Sequence, residues 1–261
     1  MRHNAGFAAL AVVGIVALGA LVWPLVSGYG PLMHPAPAQV TDTAEQPAAL
    51  RYALAARGLE LGAPAHIRIY KRENILELWL AAAGGRYELF RSYDICKWSG
   101  GLGPKLAEGD RQSPEGYYRV GLKQLNPHSR HHLAFNLGFP NAFDRSLGRT
   151  GSALMVHGGC SSVGCFAMSD AQIDEIYRVV EASLRAGQPE VDVAIFPFRL
   201  TETSLQAEAH NPWLQFWRNL KEGADLFDLT GAPPAVATCN GTYRFGRAAL
   251  EPGCTPIAGW V

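Results

Sequence analysis

The sequence predicts a mainly β fold with helices, an α+β domain built as a β-sandwich or partly closed barrel. Apolar and polar residues alternate in three short runs, around Ile67 and at 75–80 and 87–95, with turn residues between them. This period of two indicates a meander of antiparallel strands. One long helical pattern follows at 169–187. The whole chain is 48% hydrophobic and 18% charged, which is typical of a globular protein.

Residues 1–28 predict a signal anchor or a signal peptide. Arg2 and His3 precede an uncharged apolar run at 5–26, which as a helix would span about 33 Å, enough for a bilayer core. We expect the segment to stay uncleaved and to anchor the protein to the inner membrane, with the body in the periplasm; a cleaved signal peptide is the alternative. Residues 29–46 are rich in Pro, Gly, Ala and Thr and predict a linker.

The rest of the chain divides into three parts. Residues 47–64 predict an N-terminal helix, 65–200 one large domain, and 201–261 a C-terminal helix with a disulfide-closed tail. Pro47 suits the first turn of the N-terminal helix, which is expected to end near Gly58.

Within the large domain, the glycine-rich segment 100–116 predicts a loop and 117–122 the next strand. The helix at 169–187 begins with a capping box, Ser169 with Gln172, and carries one apolar face. Residues 191–195 predict a further strand.

The C-terminal helix is expected to begin after Asn211-Pro212 and to end at Gly223. In the tail after it, Cys239 and Cys254 are expected to form a disulfide.

The net charge and the number of cysteines limit the partners and the disulfide pattern that the chain is expected to have. The formal net charge is zero, so no nucleic-acid partner is predicted. Five cysteines in an exported chain suggest two pairs and one free thiol, with Cys165 the free one. Cys96 with Cys160 is the weaker second pair, and Cys96 buried on its strand is the alternative.

The segment 155–170 carries the candidate chemistry. His157 lies where an apolar strand ends, and Cys165 follows the glycine turn at Gly164. An imidazole near a thiol can remove its proton, which indicates His157 as base and Cys165 as nucleophile. The N–H groups of Gly164 and Cys165 are candidates for an oxyanion hole. A purely structural role, or a metal site with Cys160, remains an alternative, although the spacing matches no common zinc pattern.

The pattern H-G-x-C-x-S-x-G-C-x-A-M at 157–168 resembles the active-site signature of the L,D-transpeptidase catalytic domain, or YkuD domain, in its YafK-type branch. Upstream, residues 96–118 resemble the family pattern G-x-x-G-x-K…G-D…[ST]-P-x-G, and residues 132–149 also look like that branch. The resemblance covers about 66–199.

This resemblance implies an L,D-transpeptidase-type fold with one long packed helix, and an enzyme of peptidoglycan that needs no metal or organic cofactor. Cys165 would attack a stem-peptide carbonyl at meso-diaminopimelate and form a thioester. His157 would move the proton, and the backbone carbonyl of Gly158 would orient its ring.

Four side chains are expected to line the substrate cleft: Ser162, Lys105, Arg130 and Asn136. For Lys105 a solvated surface position is the alternative. Arg130 lies in the segment 126–132, which we expect to be a loop whose histidines border the cleft at most.

Two positions depart from the family pattern. Val163 replaces a second histidine, and Ala167 replaces a polar residue. The resemblance implies that the YafK-type branch includes an amidase that releases a lipoprotein from diaminopimelate. Because both positions are apolar here, they should position a polar acceptor poorly. We therefore expect hydrolysis of such a link rather than formation of 3→3 crosslinks.

Two other function classes remain open. A sortase-like transpeptidase shares the order His then Cys, but the expected T-L-x-T-C strand, with the arginine placed after that strand, is missing here. A non-enzymatic exported binding module would have Cys160 and Cys165 joined in a disulfide. A count of titratable thiols separates these classes.

Overall fold

The structure is a computed structural model that describes residues 45–259, with side chains described from residue 48. The predicted membrane anchor at 1–28 and all but the end of the predicted linker lie outside the described residues. The described part contains no helix that is both long and apolar enough to span a membrane. The helices are α1 (Glu45–Ala55), α2 (Ala142–Ser146), α3 (Asp170–Arg185), α4 (Glu202–Ala207) and α5 (Leu214–Thr230).

Twelve described strands form three sheets. The first sheet, in the order β3-β2-β1-β9-β4, contains β1 (Ala65–Tyr70), β2 (Ile75–Ala81), β3 (Tyr87–Asp94), β4 (Gly116–Val120) and β9 (Val191–Phe196). The second, in the order β5-β6-β7-β8, contains β5 (Leu125–Ser129), β6 (His132–Asn136), β7 (Met155–His157) and β8 (Phe166–Ala167). The third contains β10 (Val236–Cys239), β11 (Thr242–Phe245) and β12 (Thr255–Pro256).

The predicted meander is confirmed in the first sheet. β1 pairs antiparallel with β2, and β2 with β3, with Ile67 opposite Leu78. β9 adds to the other side of β1 in parallel, so that Ile67 lies beside Val193. Strand β4 then pairs antiparallel with β9. The three sheets and few helices confirm the mainly β, α+β class, and the described strands form no closed barrel.

Both faces of the first sheet are buried, because a long helix covers each of them. Ile67 and Ile69 belong to one core with the apolar face of α3. Tyr70 and Phe196 point into a second core with Trp217 and Leu220 of α5. Helix α3 has the predicted capping box, in which the Ser169 hydroxyl accepts from the N–H of Gln172.

Helix α5 does not end at Gly223, as predicted, but continues to Thr230. Gly223 is buried, and a Cβ there would collide with the Phe245 ring and the Tyr117 hydroxyl, so the glycine permits close packing inside the helix. The helix ends instead at Gly231, whose φ of 72° is the left-handed conformation of a C-terminal glycine stop.

One other prediction of local structure was wrong, and one helix was confirmed with shifted bounds. Residues 126–132, predicted as a loop, belong mostly to the β5–β6 hairpin, whose turn holds Arg130 and His131. Helix α1 spans Glu45–Ala55, so it begins two residues before Pro47 and ends three residues before Gly58, where its end was expected. The β5–β6 hairpin sequence is polar and contains a proline, so its intrinsic strand propensity is weak. The pairing of β6 with β7 therefore stabilises the hairpin.

Candidate active site

Strands β7 and β8 bring the two candidate catalytic residues together. The strands are parallel neighbours, with Val156 beside Phe166 and His157 beside Ala167. Cys165 immediately precedes β8, so it lies close to the end of β7 where His157 is placed. The connection between the strands turns through Gly159 and Gly164, whose φ values of 80° and 94° suit glycine.

The His157 ring is fixed by its own neighbouring backbone. Its Nδ1 lies 2.6 Å from the carbonyl oxygen of Gly158. Because a carbonyl only accepts hydrogen bonds, Nδ1 carries the proton and donates it, which leaves Nε2 unprotonated in the neutral ring. Burial lowers the pKa of His157 below its ordinary value of 6.5, the Gly158 hydrogen bond raises it, and His131 lowers it again. The His131 ring lies 4.7 Å from the His157 ring, centroid to centroid.

Cys165 is the free thiol of the chain. Its Sγ lies 3.4 Å from the N–H of Met155 and 3.6 Å from the carbonyl oxygen of Ala153. Burial raises the pKa of Cys165 above its ordinary value of 9.0, while Met155, Ser162 and Lys105 lower it to a smaller degree. The net direction is upward, so the resting state is a neutral thiol near a neutral imidazole.

Three serine hydroxyls hold the backbone around the thiol. Ser162 and Ser113 each donate to the carbonyl oxygen of Cys165, at 2.8 and 3.2 Å. Ser99 Oγ accepts the N–H of Gly164 at 2.5 Å. The Gly164 N–H is therefore already bonded, which argues against the predicted oxyanion role for it and leaves the N–H of Cys165 as the candidate. The sequence analysis assigned no role at the site to Ser99 or to Ser113, although Ser113 is the serine of the [ST]-P-x-G pattern, because their role depends on how the 99–116 loop folds back.

An open cleft of about 510 Å³ lies over the pair. His157, Cys165, Ser162 and Arg130 line it, as predicted, and so do Lys97, His131 and Val163. No aspartate or glutamate is among the described lining residues. The cleft wall is therefore cationic.

Two residues predicted for the cleft lie elsewhere. Lys105 is buried, 4% exposed, so the surface alternative is wrong as well. It donates to Ala107 O and to Asp110 Oδ1. Burial raises the pKa of Asp110, but hydrogen bonds from Lys105 and backbone N–H groups outweigh it and lower the pKa to about 2, so the pair is ionised. Asn136 is buried too, and its Oδ1 accepts the N–H of Gly138 at 2.8 Å.

The disulfides decide between the sequence-based alternatives. Cys96 is bonded to Cys160, and Cys239 to Cys254. A module closed by Cys160 and Cys165 is therefore contradicted, and Cys160 cannot serve as a metal ligand with His157. Within residues 45–259, no cluster of three or more His, Cys, Asp or Glu side chains is placed to hold a metal ion.

Comparison with known proteins adds the family context. The sequence profile described as YkuD, L,D-transpeptidase catalytic domain, matches residues 64–195. The chain is 48% identical over 183 residues to the Escherichia coli (strain K12) protein named "Putative L,D-transpeptidase YafK". That match covers 70% of this chain and 74% of the relative.

Solved structures are more distantly similar. The helical cell shape determining protein Pgp2 from Campylobacter jejuni is 20% identical with a TM-score of 0.41, over 57% of this chain and 56% of that one. Bd1075 of Bdellovibrio bacteriovorus is 19% identical with a TM-score of 0.36, over 63% and 58%. The chain thus spans less than two thirds of either structure, and nothing about the site rests on these similarities.

Proposed function

Because the chain belongs to the L,D-transpeptidase (YkuD) family of peptidoglycan enzymes, we propose that Cys165 and His157 cleave stem-peptide bonds at meso-diaminopimelate through a thioester. The observation that carries the proposal is the pairing of β7 with β8, which places a free thiol beside an imidazole held in its Nδ1–H form. Because the chain belongs to this family, the sortase-like alternative is set aside.

The chemistry follows from the two neutral side chains. His157 Nε2 takes the Cys165 proton as Sγ attacks the diaminopimelate carbonyl carbon, and the oxyanion is stabilised by the backbone N–H of Cys165. The tetrahedral intermediate then collapses: the C–N bond breaks, and the imidazolium gives its proton to the leaving amine. The thioester remains, and the neutral imidazole is regenerated.

The second half-reaction decides between hydrolysis and transfer. We propose that water resolves the thioester: His157 Nε2 takes a proton from water, the hydroxyl adds to the carbonyl carbon, and Sγ leaves with the proton as the thiol. Two observations support this preference. Val163 is an apolar, exposed side chain at the cleft wall, and Ala167 is fully buried in β8 and cannot reach an acceptor amine.

The favoured substrate within this class is the link between diaminopimelate and a peptidoglycan-bound lipoprotein. On this proposal the catalytic domain is 65–200, and 1–28 anchors it to the periplasmic side of the inner membrane. Cys165, His157, the Gly158 carbonyl and the Cys165 N–H carry the catalytic roles.

A sacculus digest tests the direction of reaction. Purified sacculi that carry covalently bound lipoprotein are incubated with the protein, with the Cys165→Ala variant, or with buffer, and the muropeptides are analysed by mass spectrometry. We expect protein-linked muropeptides to fall and free tripeptide ends at diaminopimelate to rise with the native protein alone. A rise in 3→3 crosslinked muropeptides with protein-linked muropeptides unchanged would reverse the assignment.

A further inference from the structure

The cleft wall holds two cations for which the described side chains, residues 48–259, provide no counter-ion. Lys97 and Arg130 both line the cleft that contains His157 and Cys165, and both are exposed. Neither side chain makes an ion pair or a hydrogen bond with any part of the chain from residue 48 to 259, whereas the buried Lys105 nearby is paired with Asp110. The same wall has no described carboxylate.

The backbone fixes Lys97 relative to the nucleophile. The Ala167 N–H donates to the Lys97 carbonyl at 2.8 Å, and the Lys97 N–H donates back at 3.3 Å. The neighbouring Cys96 is tied by its disulfide to Cys160, in the loop that leads to the nucleophile. Because Ala167 is two residues beyond Cys165, these contacts hold the backbone of Lys97 close to the nucleophile.

The backbone of Arg130 is held on the opposite side. It lies in the turn of the β5–β6 hairpin, where Ser129 pairs with His132 and the Ser129 hydroxyl accepts the N–H of His131 at 3.0 Å. In the sheet, β7 lies between β6 and β8. Lys97 pairs with Ala167 of β8, and thus lies on the side of β7 away from β6. The two cations therefore approach the catalytic pair from opposite sides.

We infer that Lys97 and Arg130 are specificity-determining residues that bind the substrate carboxylates on the two sides of the scissile bond. The inference rests on the proposed function. Meso-diaminopimelate keeps a side-chain carboxylate on the acyl side, and the leaving residue of a stem or an attached chain carries its own terminal carboxylate. An ammonium and a guanidinium both form charge-assisted hydrogen bonds to carboxylates, which are stronger than neutral ones.

Binding to an inactive variant tests the inference apart from catalysis. In a Cys165→Ala background, calorimetry measures the Kd of a synthetic stem tetrapeptide that ends in meso-diaminopimelate and D-alanine. Lys97→Gln and Arg130→Gln should each raise Kd about tenfold or more, the loss typical of a hydrogen bond to a charged group. Lys123→Gln, an exposed lysine outside the cleft, is the matched control and should leave Kd unchanged.

A second peptide identifies the acyl-side contact. In this peptide the side-chain carboxylate of diaminopimelate is amidated. Amidation should raise the Kd of the parent and of the variant that keeps the residue bound to that carboxylate. It should leave Kd unchanged in the variant that lacks that residue. Equal amidation penalties in all proteins, or variant Kd values within twofold of the parent, overturn the inference.

The two proposals fail in distinguishable ways. If the active protein cleaves stem peptides while Lys97→Gln and Arg130→Gln bind as tightly as the parent, only the carboxylate assignment fails. If the parent neither binds nor cleaves the peptide, the proposed function fails together with it. Melting curves of each variant show whether a weakened Kd arises from loss of the fold.

Discussion

At the scale of single residues, the two candidate catalytic side chains are held in their neutral forms. Burial raises the pKa of the Cys165 thiol and lowers the pKa of the His157 imidazole. No described hydrogen bond joins Sγ to the His157 ring; the thiol contacts the Met155 N–H and the Ala153 carbonyl instead. Proton transfer therefore has to accompany substrate attack and does not precede it as a stable ion pair.

This arrangement predicts a broad pH–rate profile. The base form of His157 is the active one, and its lowered pKa means that kcat/KM falls only when the pH drops below 6.5. The raised pKa of Cys165 places any alkaline change above pH 9.0. Measurement of kcat/KM from acid to alkaline pH on a soluble stem peptide checks both limits. A fall in kcat/KM that already begins above pH 6.5, or a thiolate absorbance at neutral pH, would contradict the assignment of a neutral thiol and a neutral imidazole.

Residue identity and order in 155–170 were sufficient to predict His157 and Cys165 as neighbours, because both depend on one short strand-turn-strand segment. The orienting role of the Gly158 carbonyl was predicted from the resemblance to the family. The same reasoning misplaced Lys105 and overlooked Ser99. Their positions depend on the path of a glycine-rich loop with no periodic pattern, and that path is set by contacts with distant parts of the chain.

At the scale of elements, one buried carboxylate ties that loop to α5 and to the residue that follows β1. Glu115 is fully buried and accepts hydrogen bonds from Lys71 Nζ at 2.9 Å, the Gly103 N–H at 2.7 Å and Trp217 Nε1 at 2.8 Å. Lys71 Nζ also donates to the carbonyl of Ser113, whose hydroxyl supports Cys165. The network thus links Lys71, directly after β1, the loop and α5 to the nucleophile.

Replacing Glu115 with Gln should destabilise the protein by about 3 kcal/mol, because the fully buried Lys71 then lacks a counter-ion. Activity should fall as well, since Ser113 and Ser99 lose their fixed positions. Denaturant unfolding and peptide hydrolysis measure the two effects. Glu88→Gln, on the exposed side of β3, is the control. A change in unfolding free energy below about 1 kcal/mol in Glu115→Gln would contradict the network.

The Cys96–Cys160 disulfide is the second device that holds the site. Its removal in a Cys96→Ala/Cys160→Ala variant should lower stability by about 4 kcal/mol, the chain-entropy value for a sequence separation of 64. The matching loss for Cys239→Ala/Cys254→Ala, with a separation of 15, is about 3 kcal/mol. Denaturant midpoints test whether the first disulfide contributes more stability than the second. Thiol titration of the folded protein should find one thiol. Three or five titratable thiols would refute the pairing.

Elements with strong local signals were predictable. Helix α3 has a capping box and an uninterrupted apolar face, and the β1–β3 meander has regular alternation and turns. The extent of α5 was not predictable, since a glycine inside a helix reads as a stop unless its packing partners, Phe245 and Tyr117, are known. The β5–β6 hairpin likewise depends on a neighbouring strand.

At the scale of the whole molecule, the C-terminal segment is part of the fold. The core over the second face of the first sheet joins Tyr117 and Phe196 to Trp217, Val236 and Tyr243. The family match ends at residue 195, before α5 begins. The parallel pairing of β1 with β9, distant in sequence, creates this second face, which no local pattern could reveal.

Truncation after Leu200 should therefore prevent stable folding, because the aromatic residues of the sheet would face water without α5 and the third sheet. Solubility and a cooperative melting transition of the truncated chain, beside the full chain, measure this. The full chain with Leu229→Gln, an exposed residue near the end of α5, is the control and should melt normally. A truncated chain that melts cooperatively near the temperature of the full chain would show that 201–261 is dispensable.

The acyl-enzyme is the intermediate on which the proposed activity depends, and intact-protein mass spectrometry after a rapid acid quench detects it directly. With a stem tetrapeptide as substrate, the native protein should gain the mass of the acyl tripeptide, mapped to Cys165. His157→Ala should acquire it at least about a thousandfold more slowly. Cys165→Ala should remain folded and acquire none. A tripeptide adduct that still forms in Cys165→Ala, or peptide cleavage that persists in that variant, would contradict Cys165 as the nucleophile.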